Sequence, residues 1–577
     1  MKNTEIIHKG HVQYDNLKEV IYASVRNYGE DIAFVIKHQD KDKNLNYEDK
    51  TYKMLLDDIN AFGTALYAKK LNGKRVAVIG KNRYEWVVAH FANLLGGIVS
   101  VPLDKDLQLD ELENSLKRSE ANAVVFDKKL EPMIAEIKKK GKTKVKEFIS
   151  MDNLEGYTAF SDMINEGNKS IKEGKKEYID CEIDSDAMNI LLFTSGTTSQ
   201  SKAVMLSQRN IASNVYALQC AQDVRYKDTN IAFLPFHHIF GSSCIALMLA
   251  QGTKNVFPDG LRYIKQNLCE YEVSIFVGVP VLIEAMYKAI NKEIEKQGKT
   301  KLIKFARAIS NFLMKFHIDV RRKLFKQVIN SLGGKLRYVV VGGAAMDEVV
   351  AKGFYDLGFN IVQGYGLSET SPVIAGENEK HLEFGTVGRL MVTAEVEIDN
   401  PDEEGIGEIK VKGPGVFLGY YNMPEETKAV LKKGWFYTGD LGCFTKKGNL
   451  KITGRNKNLI VLKNGKKVFP EELETLVNRL DEVLECMVYG MPDEKDKNDI
   501  TLSIKVVYDK EYIKEHYKDA SEEELRTIIW DKIKEINQTF PKYKHIQSMI
   551  LTDQELIKTT TKKVKRFEEM KLIMENK

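Results

Sequence analysis

Cysteine is scarce: six in 577 residues, at 181, 220, 244, 269, 443 and 486. No pair has zinc or Cys-x-x-Cys spacing, and thiols so scattered are not a disulfide framework. They read as reduced thiols of a cytoplasmic protein. An excess of one charge is missing too. Lys and Arg total 86 against 82 Asp and Glu, a net +4, which gives no reason to expect a nucleic-acid partner. Long apolar runs are absent. Ile245–Ala250 falls far short of the roughly 20 residues that span a bilayer. The first residues, MKNTEIIHKGHVQYDN, hold no apolar core of signal-peptide length. The expectation is a soluble protein, attached at most to the inner face of a membrane. No internal repeat or low-complexity tract stands out. The composition, 43% hydrophobic and 29% charged, is that of a globular chain with ample core material.

Residues 71–103 read as strand, helix, strand: RVAVIG, EWVVAHFANLLGG, IVSVPL. Apolar strands recur at NILLF (189–193), SIFVGVP (274–280) and RYVVVGG (337–343). Val- and Ile-rich strands alternating with helices predict an α/β fold with parallel sheets buried on both faces. From about Gly385, short strands such as GEIKVKG (407–413) alternate with turn residues, predicting a β-rich subdomain. Near Gly454 charge and glycine concentrate, and Pro470 sits where a helix would start. A boundary at 455–458 divides the chain into a large body, 1–456, and a small α+β C-terminal domain, 457–577.

Five segments carry chemistry. LLFTSGTTSQSKAVMLS (191–207) runs a strand into small hydroxyl residues and Lys202, a set of donors that suits a triphosphate. It is not a Walker loop: Ser201 stands where that motif has its second glycine, and Ala203 where it has Ser or Thr. QGYGLSETSP (363–372) offers the carboxylate Glu369 in a polar turn after a strand. GWFYTGD (434–440) and ITGR (452–455) offer Asp440, which follows a glycine, and Arg455. KTTTKKVKR (558–566) carries four lysines and an arginine, a pattern that charge alone would assign to a solvated face. AFLPFHHIFG (232–241) pairs His237 with His238.

In order and content these segments resemble the adenylate-forming superfamily, which includes the acyl-CoA synthetases, and the resemblance covers about residues 51–566. The family loop [ST]SGTTGxPKGV is matched by Thr194, Ser195, Gly196, Thr197, Thr198 and Lys202, with Ser199, Ser201 and Ala203 departing. The resemblance implies ATP, Mg²⁺ and coenzyme A as co-substrates and cofactor. It implies Glu369 on the metal, with Gly366 and Ser368 in the same motif. Tyr365, Gly343 and Ala344 would lie along adenine, Asp440 and Arg455 would hold the ribose, and His238 would sit beside the acyl carboxylate. The tail is close to the TxKxKR form of the long-chain fatty acyl-CoA synthetases and singles out Lys563 as the lysine that joins carboxylate to α-phosphate, with Lys562 where many members have glycine. A hinge falls on Lys457, with Asn458 replacing an acidic residue. Rotation there would bring Gly465 close against the pantetheine channel, where Lys466 and Lys467 could meet coenzyme A phosphates.

The implied function is ATP-dependent activation of a long-chain fatty acid to acyl-AMP, then transfer to coenzyme A. Two alternatives stay open: another acceptor, such as acyl carrier protein, and a non-catalytic binding relative. Separately, residues 296–326 hold ten Lys or Arg against one acid, Asp319. Leu302, Phe305, Ile309, Phe312 and Phe316 recur at helical spacing with Lys301, Lys304, Arg307 and Lys315 expected along the border. Such a helix suits peripheral membrane contact, although a stripe of this kind commonly packs on its own core.

Overall fold

The computed structural model describes residues 1–3, 5–39, 44–194, 201–492, 500–518, 520–558 and 564–575. Two large sheets dominate. Among the described residues, one has eight strands in the order 419–420, 202–207, 188–194, 99–103, 75–79, 123–126, 147–150 and 158–159. The other has nine, in the order 389–390, 373–376, 360–366, 338–341, 275–278, 229–231, 254–256, 32–39 and 45–51. Their central strands are parallel; both edges of the nine-stranded sheet and the 188–207 and 419–420 edge of the other are antiparallel, while its 158–159 edge stays parallel.

Alternation along each strand sorts side chains into separate cores. Val76 and Val78 point into a central core, whereas Ala77 and Ile79 point into a second one. Ile275 and Val277 share the central core from the other sheet, and Phe276 turns into a third. The helices 17–28, 52–68, 84–95, 208–221 and 239–250 supply side chains to this central core, so the two sheets share a helical layer, and each has further helices on its outer face. That is why these strands lack polar alternation. The expected α/β fold is present, and so are the predicted elements: strand Arg75–Ile79, helix Tyr84–Leu95, strand Val99–Leu103, and a helix beginning at Pro470.

The strands at 395–399, 407–412, 435–444, 431–432 and 450–455 form an antiparallel sheet, the β-rich unit. After a 3-10 turn at Asn456–Asn458, a three-stranded sheet (483–492, 500–508, 546–552) is covered by helices Pro470–Val477 and Glu522–Gln538. Alternation separates its faces as well: Cys486 and Val488 enter one core, Met487 and Tyr489 another. No described helix is long and apolar enough to cross a membrane.

Helices Tyr52–Ala68 and Phe160–Lys172 meet at one glycine. A Cβ on Gly167 would lie 1.8 Å from the Ala61 carbonyl oxygen. Gly167→Ala must push the backbones apart, which costs about 1–3 kcal/mol. It should lower the melting temperature while leaving the apparent KM for ATP unchanged; an unaltered melting temperature would refute this contact.

Candidate functional site

Several candidate residues, Thr194, Gly343, Ala344, Tyr365 and Gly366, lie at or just after the carboxyl ends of strands in the two large sheets, where open α/β sheets bind ligands. Thr194 ends strand Met188–Thr194 and pairs with Lys202 across the hairpin. Residues 195–200, including Ser195, Gly196, Thr197, Thr198 and Ser199, lie outside the described residues. The hairpin's return is fixed by Arg118, which donates to the Ser201 carbonyl at 2.7 Å and to its hydroxyl at 3.0 Å.

Three sequence segments meet at glycines. A Cβ on Gly342 would touch the Phe240 ring at 2.9 Å and approach the Gly364 carbonyl at 3.8 Å. This brings the di-histidine segment against both the 337–346 segment and the 363–372 segment. At Gly366 a Cβ would sit 1.8 Å from the Pro372 carbonyl oxygen, so no side chain fits. Gly343 takes a left-handed φ of 87°, and Ala344 beside it is exposed, so both present backbone to the cleft. Asn82 pins the di-histidine segment: its amide donates to the Ala232 and Leu234 carbonyls, and its oxygen accepts from Phe236 N–H at 3.1 Å. His238 caps helix Ile239–Ala250 through its carbonyl, while His237 Nε2 lies 3.4 Å from Asp104.

Two carboxylates anchor the site, each held by a phenol. Asp440 and Arg455 are cross-strand partners in the β-rich sheet. Oδ1 of Asp440 receives Arg455 Nε at 3.0 Å, and Oδ2 accepts the Tyr365 O–H at 2.7 Å. Burial, then the neighbouring Asp440 charge, pushes the Tyr365 phenol well above its ordinary value, so it remains a donor. Each carboxylate oxygen keeps a second lone pair for a ligand hydroxyl. Four residues on from Tyr365, Glu369 lies in the 3-10 turn Ser368–Thr370, which Thr370 locks by accepting Leu367 N–H at 2.9 Å. Oε1 of Glu369 accepts the Tyr420 O–H at 2.9 Å, and Lys202 Nζ stands 4.4 Å from the centre of the same ring. Burial and then Glu369 raise the Tyr420 phenol. Glu369 Oε2 makes no hydrogen bond among the described residues, so the pair of oxygens can accept a hard cation.

Tyr420 went unnoticed in the sequence reading, as did Asn82 and Arg118. A glycine–aromatic step, Gly419–Tyr420, and a polar residue just after a buried strand were the available signals. Lys562 and Lys563 lie outside the described residues. Their flanks are tied down: Lys558 and Val564 form a bridge, and Arg566 pairs with part-buried Glu474 and donates to Val488 O at 3.0 Å. Asn458 donates to Glu471 at 2.6 Å, a contact that an acidic residue there would turn into repulsion. The close approach expected of Gly465 belongs to the arrangement after rotation about Lys457, and the present arrangement does not test it. Here Gly465 takes a φ of 77° in a turn with nothing within 4 Å of an added Cβ, so the turn alone requires glycine. Lys466 lies over the Tyr543 ring at 4.2 Å, and Lys467 reaches Asp402 at 3.4 Å.

Asp440→Ala removes both charge-assisted hydrogen-bonding oxygens, each worth about 1.5–3 kcal/mol when a ribose hydroxyl donates to it. The expected outcome in steady-state kinetics is an apparent KM for ATP raised at least ~tenfold; an unchanged KM would exclude a ribose role.

Comparison with known proteins follows this geometry. The AMP-binding enzyme model matches residues 21–421, and the AMP-binding enzyme C-terminal domain model matches 457–571. Similar proteins include the chloroplastic long-chain-fatty-acid–[acyl-carrier-protein] ligase AEE15 of Arabidopsis thaliana, 25% identical across 90% of this chain and 80% of that one. Long-chain-fatty-acid–CoA ligase 1 of Cavia porcellus is 27% identical across 77% and 68%. Among solved structures, the anthranilate CoA ligase AuaEII in complex with anthranoyl-AMP shares the fold with a TM-score of 0.74 over 97% and 98% of the two chains, at 19% identity. The chain belongs to the AMP-binding enzyme family, the adenylate-forming enzymes.

Proposed function

We propose that the protein is an acid–thiol ligase that converts a long-chain fatty acid and ATP to acyl-AMP and pyrophosphate, then transfers the acyl group to coenzyme A with release of AMP. One observation carries the reading: the Asp440–Tyr365–Arg455 and Glu369–Tyr420–Lys202 clusters are joined by four residues of one chain segment, a spacing that serves the two ends of one nucleotide. The names of the similar proteins, several of them long-chain-fatty-acid–CoA ligases, support the substrate class.

In the first half-reaction a fatty-acid carboxylate oxygen attacks the α-phosphorus of ATP, and pyrophosphate departs. The protein's part is positioning and charge stabilisation. Asp440 accepts the ribose hydroxyls, and Gly343, Ala344, Gly366 and Tyr365 border the base. Thr194 and Lys202 face the phosphates, with Ser195–Thr198 assigned there by motif alone. A magnesium ion, when bound at Glu369, would neutralise phosphate charge. His238 borders the acyl carboxylate, and Lys563 neutralises the charge between carboxylate and α-phosphate. In the second half-reaction the coenzyme A sulfur attacks the acyl carbon, and AMP leaves. Lys563 must withdraw for this, and a turn of residues 457–577 about Lys457 relative to 1–456 accomplishes it. Arg479–Asp347 at 2.6 Å and Lys467–Asp402 at 3.4 Å are ion pairs that such a turn breaks.

A carrier-protein acceptor is the second reading, favoured by the name of the Arabidopsis relative. The six free cysteines support a cytoplasmic location, where the acid would be taken up from membranes.

Lys563→Ala should reduce acid-dependent ATP–pyrophosphate exchange by orders of magnitude, yet leave thioester formation from supplied acyl-adenylate within a few-fold of normal. Equal loss of both would overturn the assignment. With palmitate, acetate and benzoate compared, kcat/KM should be highest for palmitate; a preference for acetate would exclude the long-chain reading, and thioester on acyl carrier protein but not on coenzyme A would select the second acceptor.

A further inference from the structure

Helix Thr300–Met314 buries little: Ser310 is its one fully buried residue. Its protein-facing side holds Ile303 and Ala306, which pack on the core below the nine-stranded sheet, and Arg307, which donates to the Tyr287 hydroxyl at 3.2 Å. Arg307 was expected to border the apolar stripe, but helical spacing puts it on the opposite, protein-facing side, where it meets Tyr287.

The stripe itself is left largely open among the described residues. Leu302, Phe305, Ile309, Phe312 and Phe316 are 61%, 66%, 40%, 59% and 60% exposed. The Phe312 and Phe316 rings meet edge to face at 5.3 Å, making one ridge. Lys301, Lys304 and Lys315, all exposed, fall by helical spacing along one edge of that ridge, and exposed Lys323 follows on the next turn of chain. Exposed aromatic and aliphatic side chains in such a contiguous row mark an interaction surface.

We propose that this ridge docks the protein on an anionic lipid bilayer, with the apolar side chains entering the acyl boundary and the lysines meeting lipid phosphates. Charge selects this occupant. A second copy related by two-fold symmetry would set the same lysine row against itself, whereas an anionic bilayer complements it. The location fits the use. Helix 300–314 rests on helix Pro280–Lys296, which starts immediately after Gly278–Val279, and Val279 lies 3.9 Å from a Cβ built on Gly343. The ridge is thus one helix removed from the wall of the candidate site. As a route for the substrate, the docking rests on the fatty-acid reading; as binding, it does not.

The test is flotation of the full chain, without substrates, on vesicles of phosphatidylcholine alone and on vesicles with roughly a third phosphatidylglycerol. Binding to the anionic vesicles at low salt, weakened by added salt, is expected. Phe312→Glu should weaken it at least ~tenfold, and Lys301, Lys304 and Lys315 changed together to Gln on the order of a hundredfold, at about 1 kcal/mol per charge. Both variants alter exposed positions and should keep full activity on octanoate, a water-soluble acid, where the ligase is assayed. No binding to anionic vesicles at low salt overturns the proposal, and so does binding that neither variant weakens. A concentration-dependent dimer abolished by Phe312→Glu, in place of vesicle binding, assigns the ridge to a second copy and also overturns it. Because flotation uses no substrate, loss of the ligase reading leaves this result standing, and the reverse holds too.

Discussion

A carboxylate taken out of water must receive hydrogen bonds or lose its charge, and that constraint organises the site. Asp440 and Glu369 each receive a tyrosine O–H, at 2.7 and 2.9 Å. In both pairs burial raises the phenol, so the proton stays on the tyrosine and the negative charge on the acid. A single hydrogen bond of this sort holds the acid in place without using up its acceptor capacity. The carboxylates are therefore fixed in direction yet able to accept from a ligand, which is the preorganisation that charge stabilisation requires.

Much of the fold serves to deliver these four side chains. Tyr365 ends the strand Asn360–Gly366, whose register is set by parallel pairing with Tyr338–Val341. Glu369 follows in a turn tight enough that Gly366 cannot carry a side chain. Asp440 comes from the β-rich sheet. Tyr420 reaches the site from the short strand Gly419–Tyr420, which pairs with the return strand of the 188–207 hairpin and so places Lys202 beside it. One cluster thereby ties a large sheet to the β-rich unit; the other ties the two large sheets together.

The unit that follows Lys457 is attached differently. Among the described residues, its ion pairs to the rest of the chain, Arg479 with Asp347 and Glu348, Lys467–Asp402 and Lys292–Glu515, all include at least one side chain a third or more exposed. The two pairs exposed on both sides, Lys467–Asp402 and Lys292–Glu515, contribute little, about 0–1 kcal/mol each. Its own two cores are closed by its own helices. Few exposed ion pairs therefore oppose the turn about Lys457 proposed above.

The amino-acid sequence by itself determined the parallel sheets, because runs such as RVAVIG and RYVVVGG are apolar on both faces and only a doubly covered strand accommodates that. It also pointed to Asp440, Arg455, Glu369 and Tyr365 as candidates, because their segments resemble motifs of the adenylate-forming superfamily in content and order. It could not show Tyr420, Asn82 or Arg118, whose roles depend on partners 51, 154 and 83 residues away in the chain. Nor could it decide the helix at 300–314, where two faces compete for the core and periodicity treats both as candidates. The tertiary structure settled this by turning Ile303, Ala306 and Ser310 inward, on the side where Arg307 meets Tyr287. The more apolar stripe, with its aromatic rings, was left in water because no other element of the described chain covers it.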